Sequence, residues 1–244
     1  MKFENINKTF SYKNGLKVKL LNDISFEISS GEITSILASA GSGKTTLLKI
    51  VCGIEKPDSN IQQESNFCFI PSKPSSFPWL DVKENILFAN ENIETDSMKS
   101  LIKAVGLEGY ENHYPNNRSL GFRFRIALAR ALAAKPEMVL LDEPLFEMDQ
   151  RTKFEILQLI IDINKQLKAT FLLATSNLSE ALLVSHNTLL MKKQSTGLLP
   201  SRRTEYQSDN VMERVRSENY SNYLADEENL AKSFATQQSF TISL

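Results

Sequence analysis

Two histidines, two cysteines and one tryptophan in 244 residues leave few side chains for metal or redox chemistry. Cys52 and Cys68 lack metal-ligand spacing and sit in apolar surroundings, so both are read as reduced core residues of a cytosolic protein. His113 and His186 have no carboxylate or cysteine at ligand spacing, which assigns each a structural or surface place. An excess of one charge is also missing. The 28 basic residues against 29 acidic give a net charge of -1, which argues against nucleic acid as a partner. No apolar run approaches the ~18 residues that cross a bilayer, and "MKFENINKTF" has no signal-peptide core. Membrane association is therefore expected only through a partner subunit. No internal repeat is visible.

The composition, 41% hydrophobic and 23% charged, suits one large domain or one domain with an appendage. The opening reads as antiparallel sheet, with short strands at 1–5, 16–21 and 25–28 broken at the Lys13-Asn14-Gly15 turn. "EITSILA" reads as a strand buried on both faces and "KTTLLKIVCGI" as a helix ending near Gly53. One strand is expected at 67–70, inside a loop-like stretch rich in Pro, Ser and Lys. From Val82 to Ala134 the spacing is mostly helical. "MVLLDEP" and "TFLLATS" then read as parallel core strands around the helical "TKFEILQLIIDINKQL". This order implies an open α/β sheet with a helical insertion. Beyond about Lys192 the chain turns polar. A loop and one or two amphipathic helices are expected there, with Val211, Val215 and Tyr223 facing inward, and "ATQQSFTISL" is expected to be disordered.

The stretch "ILASAGSGKTTLLKIV" places small residues between a strand and a helix that opens with Gly43-Lys44-Thr45. Such a turn aims backbone N–H groups and a positive helix end at an anion. Ser39, Ala40, Gly41, Ser42, Gly43 and Thr46 complete the cradle. Lys44 supplies a charge for β and γ phosphates, and the Thr45 hydroxyl a ligand for Mg²⁺. "MVLLDEP" adds two carboxylates at a strand end, Asp142 for the metal and Glu143 as the general base toward an attacking water.

On these residues the chain, from about residue 2 to 192, resembles the nucleotide-binding subunit of an ATP-binding cassette (ABC) transporter. Asp142-Glu143-Pro144 and Asp149 match that family's second phosphate motif and the loop after it. "SLGFRFRIALARALAAKP" matches its signature loop and helix. "SSFPWLDVKENILF" is similar to importers of nitrate, sulfonates and taurine, and "PSRRTEY" loosely so. The resemblance implies an α/β P-loop NTPase of the ABC ATPase fold, with a mixed core sheet, an N-terminal antiparallel β subdomain and an inserted helical subdomain near 82–134. The ATPase domain is expected over 1–195, and a polar, helical extension over 196–244. The resemblance further implies a dimer that closes on ATP and Mg²⁺, membrane permease subunits, a substrate-binding protein, and a place on the inner face of the membrane. Tyr12, with Phe10 as the alternative, falls where the family stacks an aromatic on adenine. Trp79 is read first as a core residue and second as part of a docking surface.

Four family positions are altered. Ala38 replaces the first glycine of the phosphate loop, a small change if φ is negative there. Ser72 stands where a glutamine senses Mg²⁺ and water. The signature keeps Ser119 and Gly121 but has Leu120 where a glycine backbone approaches the partner's phosphate. Ser176 replaces the switch histidine and cannot carry its charge. The chain's own phosphate-binding half is nearly complete, while the half it would donate is degraded. Two functions follow as expectations: an importer ATPase, or a nucleotide-binding regulatory subunit of a heterodimer that hydrolyses little by itself.

Overall fold

The computed structural model describes residues 1–59, 66–73, 76–116, 118–191 and 198–226. The N-terminal segment forms two long antiparallel strands, β1 Lys2–Ser11 and β2 Lys17–Glu27. Three short strands were expected here; the strands continue because their irregularities are absorbed locally. Asn5 and Asp23 take left-handed backbone angles (φ 54° and 53°) at register shifts, a conformation that short polar residues tolerate. Their N–H groups donate to Ser25 Oγ (2.9 Å) and Asn7 Oδ1 (3.0 Å) in place of ladder partners.

The core sheet contains β3 Ile33–Leu37, β4 Phe67–Ile70, β5 Met138–Asp142, β6 Phe171–Thr175, β7 Asn187–Met191 and β8 Leu198–Arg203. Its order is β4-β5-β6-β3-β7-β8, parallel from β4 to β7 and antiparallel at β8. β5 and β6 are buried at every position, which explains their unbroken apolar sequences. Two apolar clusters cover the sheet. One, with Leu47, Leu48, Ile36 and Leu172, joins the sheet to helix α1 (Lys44–Val51) and to β1 and β2. The other, with Phe124, Ile126, Ile160 and Phe171, joins it to α4 (Leu120–Ala133) and α5 (Gln150–Leu167).

Between β4 and β5, α2 (Val82–Leu87), α3 (Thr95–Ala104) and α4 pack on one another. α2 starts at a reciprocal cap between Asp81 and Glu84, which satisfies two otherwise free N–H groups. Fully buried Asn85 accepts from the Phe77 N–H and donates to the carbonyls of Phe77, Leu80 and Asp81, tying the preceding loop to this subdomain.

The expected loop after residue 192 is corrected at 198–203, where β8 is the antiparallel edge strand of the core sheet. Pro200 obscured it, yet an edge strand tolerates a missing N–H donor. The sheet thus runs past the boundary expected near residue 195. α6 (Leu178–Val184) lies between β6 and β7; α7 (Val211–Val215) and a helical stretch over 218–226 follow β8. Val211 and Val215 pack against the second cluster, and Tyr223 sets its ring edge-on against Tyr206. Residues 235–244 lie outside the described residues.

Candidate functional site

Three strand ends converge at the carboxyl edge of the parallel sheet, where open α/β sheets bind ligands. Pairing of Leu37 with Thr175 and of Asp142 with Ala174 puts residues 38, 142, 143 and 176 side by side. Two backbone bonds fix this edge: Ala38 N–H to Thr175 O (3.2 Å) and Glu143 N–H to Ala174 O (2.8 Å).

The loop at 38–43 turns on two glycines with positive φ, Gly41 at 75° and Gly43 at 102°. Ser39, Ala40 and Gly41 are exposed, Ser42 is buried and Thr46 is half-buried. A Cβ on Gly43 would sit 2.9 Å from Leu21 Cδ2, so β2 presses directly on this turn. Gly43 caps α1 without any side-chain hydrogen bond, and no acidic residue lies in its first turn. Helices α2, α4, α5, α6 and α7 carry side-chain caps, and α3, which also lacks one, has Asp96 in its first turn. The start of α1 therefore keeps its donors for an external anion, which is the fit a nucleotide phosphate needs.

Lys44, 5% exposed, donates to Ala38 O (2.7 Å) and Ser39 O (3.1 Å) and pairs with Glu143 Oε1 at 3.2 Å. All three ammonium donors are engaged. Glu143 Oε2 in turn accepts from the Ser176 N–H (3.1 Å) and hydroxyl (3.3 Å). Glu143 itself holds φ 45°, a conformation that costs of order 1–3 kcal/mol and gathers at functional sites. Thr45 Oγ1 donates to Asp142 Oδ1 at 3.1 Å, so two hard oxygen donors stand together for a divalent cation such as Mg²⁺. Burial pushes the Asp142 carboxyl above the usual aspartate range, against the bond from Thr45, while neighbouring Glu143 adds to the rise.

The structure thus brings Lys44, Thr45, Asp142, Glu143 and Ser176 together. It does not join the others to them. Ser72 is half-buried two residues past β4, and no hydrogen bond links it to Thr45, Asp142 or Glu143 among the described residues. Tyr12 is 55% exposed at the hairpin end, where its backbone closes the turn with Leu16 and Gly15. Phe10 is half-buried beneath the Lys8 ammonium. Ser119 caps α4 by accepting from the Phe122 N–H (3.2 Å). Leu120 packs partly into the core, and a Cβ on Gly121 would lie 2.8 Å from the Thr152 methyl. Asp149 caps α5 and accepts from the Thr152 N–H and hydroxyl, bonds that hold its carboxyl below the usual range.

Trp79 is corrected from core to surface: it is 69% exposed and beside Phe77, whose ring also meets exposed Phe88 edge-on. Arg130 stacks on Phe77. Cys52 and Cys68 are free and half-buried rather than sealed in the core. Burial raises both thiols, Cys52 to about 11, which leaves little thiolate for metals or oxidants. His186 Nδ1 accepts from the Ile33 N–H.

Residues 21–146 match the family profile described as "ABC transporter". The chain belongs to the ABC transporter family. This cassette is 36% identical over 175 residues to an aliphatic sulfonates import ATP-binding protein of Pseudomonas syringae pv. tomato, covering 70% of this chain and 75% of that protein. It is 33% identical over 198 residues to one of Bacillus thuringiensis subsp. konkukian, covering 76% and 78%. Its fold is similar to an ATP-binding cassette solved as a dimer bound to ADP and Pi (TM-score 0.69, 24% identity, 84% of this chain and 99% of that one). It is likewise similar to a cassette of the cbiONQ transporter complex of Clostridium perfringens (TM-score 0.71, 23% identity, 89% and 91%). The cassette is an ABC-type ATP-binding ATPase domain, and none of the helices described is long and apolar enough to cross a membrane.

Proposed function

We propose that this cassette is the ATP-hydrolysing subunit of an importer of the nitrate, sulfonate and taurine kind, peripheral to the inner face of the membrane through permease subunits and served by a substrate-binding protein. The carrying observation is the cluster at the uncapped start of α1: Lys44 against Glu143, Glu143 against Ser176, and Thr45 against Asp142. Lys44 receives the β and γ phosphates by exchanging its contacts with Glu143 and the loop carbonyls for phosphate oxygens. Glu143, released from Lys44 but still held by Ser176, is the base that takes a proton from the attacking water. Thr45 and Asp142 would hold Mg²⁺, and Ser72, with no hydrogen bond to either among the described residues, stands apart from them; the cation would supply charge neutralisation on the phosphates. Ser39 through Thr46 cradle phosphate, Tyr12 stacks on adenine, and Ser119 and Gly121 are donated to the site of a second cassette.

Relatives named as sulfonate import proteins support the importer assignment. A cavity of about 510 Å³ lined by Phe69, exposed Phe88, Ala127 and Arg130 offers the permease a docking place. A second reading, a regulatory subunit with little hydrolysis of its own in a heterodimer, is favoured by Leu120, by Ser72 and by the shortened Ser176. Titration of a fluorescent ATP analogue into the wild-type chain and Lys44→Ala tests the nucleotide site. Binding lost in the variant is expected; equal affinity would overturn the assignment.

A further inference from the structure

Ser176 holds Glu143, and the residues on both sides of Ser176 are themselves held from beneath. Thr175, with no exposed surface, donates its hydroxyl to Glu180 Oε2 (2.8 Å) and accepts the Asn177 N–H (3.1 Å). Glu180, 7% exposed, gives its other oxygen to Lys153 Nζ at 2.9 Å. Its N–H donates to Asn177 Oδ1 (3.2 Å), closing the first turn of α6 over the same loop. A buried carboxylate needs both oxygens satisfied, and here one partner is the cation of α5 and the other the hydroxyl that precedes Ser176. Lys153 lies in the first turn of α5, next to Thr152, which bonds Asp149 and abuts Gly121 of the signature helix.

We propose that Glu180 and Lys153 are positioning residues for the catalytic carboxylate: through the Thr175 hydroxyl they fix the loop from which Ser176 grips Glu143, and they tie that grip to the first turn of α5. This rests on the reading of Glu143 as the base. A simple stabilising ion pair between α5 and α6 would need Lys153 and Glu180 but not the Thr175 hydroxyl. The link also gives the signature segment and the chain's own carboxylate a shared support, since Gly121 of α4 abuts Thr152, the neighbour of Lys153 in α5.

Residue-resolved amide hydrogen exchange on the full chain tests the link, with Thr175→Val and Glu180→Gln as variants and thermal melting as the control for folding. Thr175→Val keeps size and burial while removing the hydroxyl. Both variants should exchange the Ser176 amide about threefold to tenfold faster, with the interior amides of α5 and α6 unchanged. In a Glu143→Ala background, where that amide has lost its acceptor, Thr175→Val should add nothing. Unaltered Ser176 exchange, equal increments in both backgrounds, or uniform acceleration along α5 and α6 would overturn the proposal. The readout does not depend on hydrolysis, so failure of the wild-type chain to bind ATP would defeat the nucleotide-site reading separately.

Discussion

Replacing Gly43 by alanine should damage the phosphate loop by two separable routes, and Gly41 provides the control. At φ 102° an L side chain is strained, which costs roughly 1–2 kcal/mol. The new Cβ would also stand 2.9 Å from Leu21 Cδ2 and 3.0 Å from Leu20 Cγ, and Leu21 is fully buried with nowhere to retreat. Overpacking of that kind costs about 1–3 kcal/mol, so Gly43→Ala should lose about 2–5 kcal/mol. Gly41 shares the positive φ, at 75°, but a Cβ there meets nothing within 4 Å. Gly41→Ala should therefore lose only the backbone part, about 1–2 kcal/mol. Urea denaturation followed by far-ultraviolet circular dichroism measures both, provided the slope with denaturant stays constant. Equal losses at the two positions, or a loss below about 1 kcal/mol at Gly43, would refute the claim that β2 packs the turn into its shape.

Asp142→Asn should stabilise the nucleotide-free chain at neutral pH, because a carboxyl raised on folding favours the protonated native state. Its destabilising effect in the wild type is present above the raised folded value and disappears below the ordinary aspartate value, so the gap between variant and wild type should close as pH falls; a gap that widens on acidification would contradict the burial argument. Arg214, 8% exposed, donates to Leu183 O and Ser208 O, pairs with Asp209 and stacks on Tyr206. Arg214→Ala should cost about 2 kcal/mol in urea denaturation, and no loss would mean that the segment after β8 is not anchored to α6. Ser176→Ala keeps the N–H to Glu143 and removes only the 3.3 Å hydroxyl bond. Hydrolysis should fall less than about tenfold; a drop of about 10²-fold or more would show that the hydroxyl acts on transition-state charge itself.

The strand, loop and helix around Lys44 were legible because apolar runs, small residues and helical spacing each report one local constraint. Asp142 and Glu143 were legible because they end an uninterrupted apolar strand. The N-terminal strands were misjudged in length, since bulges at Asn5 and Asp23 use side chains as ladder partners and look like breaks in sequence. β8 was missed because an edge strand carries polar residues and a proline without penalty. Trp79 reads as core because core packing is the default for a tryptophan, yet the loop that carries it lies at the surface. Glu180 and Lys153 left no signal beyond ordinary charges on helices: their pairing spans β6, and only the shared Thr175 hydroxyl reveals it. A charged residue on the inward side of α6 was the available clue. Arg214 was hidden in the same way, as a basic residue among others in a polar segment.

Steady-state ATP hydrolysis by the purified chain, measured over a wide range of protein concentration with Glu143→Gln as the blank, tests the central claim most directly. If Lys44, Thr45, Asp142 and Glu143 form a working half-site completed by a second copy, the rate per chain should rise with concentration and vanish in the variant. A chain that binds ATP but never exceeds the Glu143→Gln blank at any concentration would contradict that account and leave the regulatory reading standing.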